Sequence, residues 1–170
     1  MAERMELTRP VFFVGFMGAG KTSVARRLAR TCGVASVDMD TYIERREGKK
    51  VKEIFAEGGE EGFRAIETDV LRELGAKPDP LLISCGGGVV KDPANLRALH
   101  ANGIVLFIDR PLEDLLVGGG RPLSTSPEAL KTMEAQRRPL YLAAADAVIP
   151  NKTTPADAVT AAMEALDEIF

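Results

Sequence analysis

Gly15-Phe16-Met17-Gly18-Ala19-Gly20-Lys21-Thr22 fits the pattern G-x-x-x-x-G-K-[ST], the spacing of a polyphosphate-binding loop. Phosphate oxygens are best met by converging backbone N–H groups, which side chains would obstruct. Glycine keeps that approach open, and a helix N-terminus behind the loop adds partial positive charge. Lys21 has the reach for the β- and γ-phosphates, and the Thr22 hydroxyl can ligate Mg²⁺. A chance glycine turn beside a lysine is the plain alternative. The context argues against it: apolar Val11-Phe12-Phe13-Val14 reads as a buried strand before the loop, and Ser23 to Arg30 carries helical spacing after it.

Other residues could do further chemistry at such a site. Asp38 and Asp40 are two carboxylates at i and i+2. One suits Mg²⁺, directly or through water, and the other a hydroxyl proton; alone, the pair would read first as strand-end or helix-capping aspartates, and the phosphate loop beside it reverses that order. Gly86-Gly87-Gly88 after an apolar run is costly in chain entropy unless the backbone bends sharply or approaches a substrate closely. Gly118-Gly119-Gly120-Arg121 reads as a hinged lid that delivers a cation to a transferring phosphoryl group, or as a solvated loop. Arg64 and Glu67 have the i, i+3 spacing of a surface ion pair, and Arg137-Arg138 by itself reads as surface. Two arginines converging would suit a planar carboxylate.

These groups must be carried by an alternation of apolar runs and helical patterns, which predicts a parallel α/β sheet covered by helices. Expected strands are Val11–Gly15, Val34–Val37, Leu81–Ser84, Ile104–Ile108 and Ala147–Ile149. Helices are expected from about Gly20 to Thr31, from Thr41 to Gly48, over Val51–Phe55 up to Gly58-Gly59, and from Glu60 to Leu74. Asp92-Pro93 opens another, ending by Gly103; further ones span Pro111–Val117, Ser126–Ala144 and Pro155–Ile169. Ligands of such sheets lie beyond the carboxyl ends of the strands, where Asp38, Asp40 and Gly86–Gly88 fall.

The 170 residues suit one domain spanning 1–170, with 45% hydrophobic and 28% charged residues, as in soluble globular proteins. A net charge of −3 without a basic tail disfavours nucleic acid as a partner. No stretch has the length of an apolar membrane span, and residues 1–10 lack the core of a signal peptide. Cys32 and Cys85 offer no C-x-x-C, which fits reduced thiols in a cytoplasmic protein. His100 is the sole histidine, so a histidine metal site or triad is not expected.

The loop, Asp38-x-Asp40, the segment Ile54–Glu67 with Phe63-Arg64 and Glu67, Gly86–Gly88, Arg121-Pro122-Leu123 and Arg137-x-Pro139-Leu140-Tyr141 occur together in order. That set resembles shikimate kinase from about Val11 to Tyr141. The resemblance implies a three-layer, nucleoside-monophosphate-kinase-like P-loop fold with five parallel strands ordered 2-3-1-4-5. It implies a substrate-binding segment about 38–67, a lid about 117–126, and a monomer acting on small molecules. The implied reaction moves the γ-phosphoryl group of ATP to the 3-hydroxyl of shikimate, on the route to chorismate and the aromatic amino acids. Gly18, Ala19, Gly20, Lys21, Thr22, Ser23 and Arg121 would bind ATP, and Thr22, with Asp38 through water, would hold Mg²⁺. Asp40 would bond substrate hydroxyls and serve as base. Arg64 and Arg137 would grip the carboxylate, Glu67 would orient Arg64, Gly86, Gly87 and Gly88 would line the substrate, and Lys21 and Arg121 would assist transfer.

One departure from the family pattern stands out. Leu112 to Gly120 is short and lacks the basic residues that family members carry, including an arginine that stacks on adenine. Arg110 is the nearest candidate but is displaced in register, and Asn151 to Pro155 is the other segment available to adenine. A gluconate-type kinase on the same scaffold, or a kinase-like binding module with impaired catalysis, are the alternatives. No N-K-x-D run is present to read guanine.

Overall fold

A computed structural model describes residues 7–117 and 126–170; the glycines and Arg121 of the expected lid lie outside the described residues. Strands β1 (Val11–Val14), β2 (Ala35–Asp38), β3 (Leu81–Ser84), β4 (Ile104–Asp109) and β5 (Ala147–Pro150) form one sheet in the order β2-β3-β1-β4-β5. Every neighbouring pair is parallel. Central β1 is entirely buried and β4 is buried from Ile104 to Ile108, which is why these strands are continuous apolar runs rather than alternating ones. Edge strand β2 shows its residues more to solvent, and it is the least apolar of the five.

Around the sheet run α1 (Lys21–Cys32), α2 (Met39–Glu47), α3 (Val51–Gly75), α4 (Pro93–Asn102), α5 (Leu112–Val117), α6 (Pro127–Ala144) and α7 (Pro155–Ile169). Helix α1 packs on α7 and against β3, whereas α4 packs on α3 and against β4. The buried stripe of α1, Val24, Ala25, Leu28, Ala29 and Cys32, has the helical spacing that burial against a sheet requires. Side-chain caps start several helices: Asp92 accepts from Ala94 N, Ser126 from Ala129 N and Thr154 from Asp157 N. None of the described helices is long and apolar enough to cross a membrane.

The expected break at Gly58-Gly59 is present: α3 is two helical pieces joined at Gly59, whose non-helical φ of 67° and ψ of −173° only glycine adopts readily. One local expectation shifts. Strand β2 lies one residue further along than expected and ends at Asp38, so Asp40 stands in the first turn of α2 instead of at a strand end. The cause is the Asp38 carboxylate, whose Oδ1 accepts from Asp40 N at 3.1 Å and Thr41 N at 3.4 Å and so nucleates α2 at once.

Candidate active site

The glycine loop leaves the carboxyl end of β1 and enters α1 through Gly20, at φ 96°. A Cβ on Gly20 would lie 2.6 Å from Asn151 Nδ2, so the position needs glycine for both dihedral and space. Two side chains from the far half of the sheet brace the loop's carbonyls. Arg110 Nη1 donates to Gly18 O at 2.9 Å, and Asn151 Nδ2 donates to Ala19 O at 2.8 Å. The two candidates for adenine are thus engaged with the phosphate loop itself. Ser23 is exposed in the first turn of α1.

Lys21 is buried and folded back on its own loop, donating from Nζ to Gly15 O at 2.7 Å and Phe16 O at 3.0 Å. Burial pulls its ammonium down to about 8, against the upward pull of Asp40 and Asp38. Next to it, Thr22 Oγ1 stands 3.0 Å from Ser84 Oγ and 3.5 Å from Asp38 Oδ2. Asp38 and Ser84 are register partners at the ends of β2 and β3. These oxygens are hard donors of the type a magnesium ion takes, and they fit one that keeps water and phosphate ligands. The described residues contain no cluster of three His, Cys, Asp or Glu able to hold a metal unaided. Sequence reasoning misses Ser84; its only signal there is a hydroxyl closing an otherwise apolar strand.

The glycine run after β3 is where the remaining groups meet. A Cβ on Gly86 would sit 3.1 Å from Asp40 Oδ1 and 3.3 Å from Glu67 Oε2, and one on Gly87 would sit 3.4 Å from Arg137 Nη1 and 3.5 Å from Met17 N. On Gly88 it would collide with the Arg64 guanidinium. Each missing side chain is thus replaced by a functional group from α2, α3 or α6. Tyr141 Oη, on the same helix as Arg137, donates to Gly87 O at 2.5 Å and fixes the run from that side. Its ring lies 5.2 Å from that of Phe107.

Arg64 and Glu67 are not a surface pair. Arg64 is 8% exposed and Glu67 0%, and Arg64 Nη1 donates to Glu67 Oε1 at 2.6 Å. Asn95 Nδ2 donates to the same oxygen at 3.2 Å. The sequence signal for this burial is the apolar spacing of Phe63, Val70, Leu71 and Leu74, which carries Glu67 inward with them. Burial pushes the Glu67 carboxyl up to about 7, although Arg64 pulls it down. Burial, and then the charge of Asp38, also raises Asp40. Asp40 Oδ1 and Glu67 Oε2 are buried with no hydrogen-bond partner among the described residues. Leaving such acceptors unpaired costs about 1–3 kcal/mol each, a cost that a donor arriving over Gly86 would relieve.

The arrangement therefore offers a phosphate loop with a buried cation, an oxygen cluster for a divalent ion, and two guanidinium groups lying along a bare backbone. Two buried acceptors stand at the Gly86 end of that backbone. It can seat a polyphosphate beside a small anionic polyol. Arg121 lies outside the described residues, so its place relative to these groups is not part of this geometry.

A family model described as shikimate kinase matches residues 17–167. The chain is 41% identical over 155 residues to the shikimate kinase of Parasynechococcus marenigrum, covering 86% of this chain and 80% of the relative. It is 40% identical over 149 residues to that of Thermus thermophilus, covering 81% and 80%. Among solved structures, shikimate kinase from Acinetobacter baumannii in complex with shikimate superposes with a TM-score of 0.82 at 34% identity, covering 95% of this chain and 92% of that one. A gluconokinase from Sinorhizobium meliloti, with a TM-score of 0.61 at 14% identity over 97% of this chain and 95% of that one, shares the fold.

Proposed function

The chain belongs to the shikimate kinase family, and from that premise we propose that it transfers the γ-phosphoryl group of ATP to the 3-hydroxyl of shikimate, giving shikimate 3-phosphate and ADP. The observation that carries this reading is the glycine run Gly86–Gly88, against which Asp40, Arg64 and Arg137 converge within reach of the phosphate loop. A carboxylated ring laid on that backbone offers its carboxylate to two guanidinium groups and its hydroxyls to Asp40.

The roles follow from the geometry. ATP phosphates draw Lys21 Nζ off Gly15 O and Phe16 O, and the amides of Gly18, Ala19, Gly20, Thr22 and Ser23 receive the oxygens. Thr22, and Asp38 through water, would hold Mg²⁺, which when bound neutralises charge on the β- and γ-phosphates. Asp40 aligns the acceptor hydroxyl and takes its proton as the new P–O bond forms. Arg64 and Arg137 fix the carboxylate, so that the hydroxyl is presented in line. Arg121 is assigned to the transferring phosphoryl group on its sequence motif. We further assign one domain over 1–170 and a monomer, and a cytoplasmic location, the last in keeping with the free thiols of Cys32 and Cys85.

The test is ADP release from Mg·ATP with shikimate, with gluconate, and with a nucleoside monophosphate as acceptors. Shikimate-dependent release, lost in Lys21→Ala, is the expected result. Release with gluconate alone would reassign the acceptor. Binding of ATP without release for any acceptor would reduce the protein to a binding module.

A further inference from the structure

Glu67 is held by one oxygen only. Arg64 Nη1 and Asn95 Nδ2 both donate to Oε1, while Oε2 faces Gly86 without a partner among the described residues. Asn95 lies in the first turn of α4, just behind the Asp92-Pro93 cap, and is 0% exposed. Its Oδ1 accepts from Thr68 Oγ1, a hydroxyl that also stands 3.0 Å from Arg64 O. The amide is therefore fixed at both ends, its acceptor on Thr68 and its donor on Glu67. Turned over, it would set a carbonyl against a carboxylate oxygen, so an ionised Glu67 selects the observed orientation.

Burying an asparagine this completely is costly unless its bonds do something an apolar side chain could not. Arg64 needs such help, because its long side chain can carry the fixed fork of five donors to more than one carboxylate, Glu60 as well as Glu67. Its other partner, Glu60, is largely exposed and is shared with Lys91. The buried end of the clamp is Glu67, and Asn95 is the neutral donor that helps keep it ionised.

We propose that Asn95 is a positioning residue for the transfer reaction, a bridge from α4 whose side-chain amide holds Glu67 so that Arg64 is aimed at the substrate carboxylate. The proposal rests on the reading of Arg64 as a substrate ligand. Other charged or titratable groups facing Glu67 are Arg64 on its own helix, Asp40 from α2 and Cys85 beyond β3. Of these, Arg64 favours its ionised form, and Asp40 opposes it.

The decisive variant is Asn95→Asp, which keeps the shape and the bond to Thr68 but removes the donor. The change should fall on the KM for shikimate, raised about tenfold at neutral pH as expected for losing a charge-assisted hydrogen bond, and not on the KM for ATP. The acid limb of kcat/KM for shikimate should move to higher pH. In Glu67→Gln/Asn95→Asp, the new amide can donate to the new carboxylate, and KM should fall back below that of Asn95→Asp. If Asn95→Asp fails to fold, Thr68→Val loosens the other end of the amide and should raise the KM for shikimate about two- to threefold, a part of a typical neutral bond. An unchanged shikimate KM and acid limb in a folded Asn95→Asp, or an unchanged KM in Thr68→Val, overturns the proposal. So does a double variant whose losses simply add. Wild-type protein without shikimate-dependent ADP release would overturn the substrate reading itself, and this proposal with it.

Discussion

Tyr141 Oη donates to the Gly87 carbonyl oxygen at 2.5 Å, so the helix that carries Arg137 is pinned to the glycine run that Arg137 faces. Position of the run and position of the guanidinium are thereby set by one bond. Tyr141→Phe keeps the ring against Phe107 and removes only the donor. It should cost about 1 kcal/mol of stability and raise the KM for shikimate several-fold while the KM for ATP stays put. Thermal unfolding and steady-state kinetics on one preparation check both. Equal changes in the two KM values would mean that the bond supports the fold and not the substrate.

Lys21→Ala should lower kcat about 10³-fold, the scale of losing a principal charge on a transition state, with far-ultraviolet circular dichroism unchanged. Because the lysine is bonded to its own loop, its removal also frees Gly15 O and Phe16 O, and ATP binding should weaken less than turnover. Retention of more than about a tenth of the activity would sink the assignment.

Asp40→Asn is expected to act in opposite directions on activity and stability. Asp40 Oδ1 is a buried acceptor without a partner among the described residues, and its carboxyl is raised by burial and by Asp38. The amide should raise the melting temperature of the ligand-free protein, corresponding to about 1–2 kcal/mol, while phosphoryl transfer collapses and nucleotide binding persists. A destabilised variant would show that Asp40 is not strained by its surroundings.

Arg137→Ala should raise the KM for shikimate about 10- to 100-fold by removing a charge-assisted pair, and leave the KM for ATP within about twofold. Isothermal titration of shikimate into the ligand-free variant gives the same comparison without turnover. Unaltered affinity there would remove Arg137 from the carboxylate site.

Two pH limbs follow from the buried charges. Glu67 is raised from an ordinary 4.5 to about 7 in the folded protein. The folded state therefore binds more protons than the unfolded chain between those values, and its contribution to stability, full below about 4.5, is lost as pH rises through about 7. Activity runs the other way, since ionised Glu67 clamps Arg64 more firmly than a neutral acceptor does; kcat/KM for shikimate should rise towards about pH 7. Lys21 is lowered to about 8, so kcat/KM for ATP should fall above that pH, while the limb in kcat moves higher because bound phosphate retains the proton. A flat kcat/KM for shikimate from about pH 5 to about pH 8 in wild type, with the same profile in Glu67→Gln, would contradict the role of Glu67.

The strands and the phosphate loop are legible in the sequence because each rests on local, periodic or motif information: β1 and β4 are apolar without interruption, and the loop spacing is tied to its chemistry; the order of the strands comes only through the family resemblance. What the sequence hides is decided between elements. Arg64 and Glu67 have the spacing of a surface pair; the apolar stripe of α3 points Glu67 inward, but the burial of both follows from the packing of α3 against α4. Asp38 ends β2 and caps α2 at once, which puts Asp40 on a helix. Asn95 gives no signal and Ser84 only a hydroxyl closing an apolar strand, since a lone hydroxyl or amide acquires meaning from the neighbours that a fold brings to it.

The folded-back lysine bears on which anions the loop admits. Two of the three Nζ donors are engaged by Gly15 O and Phe16 O, so an anion that is to take the full charge of Lys21 must draw it off those bonds. A single inorganic phosphate recovers little in exchange, whereas a triphosphate spreads the same cost over several oxygens and the loop amides. Self-engagement of this kind acts as a threshold, and inorganic phosphate should therefore compete only weakly with ATP for the loop.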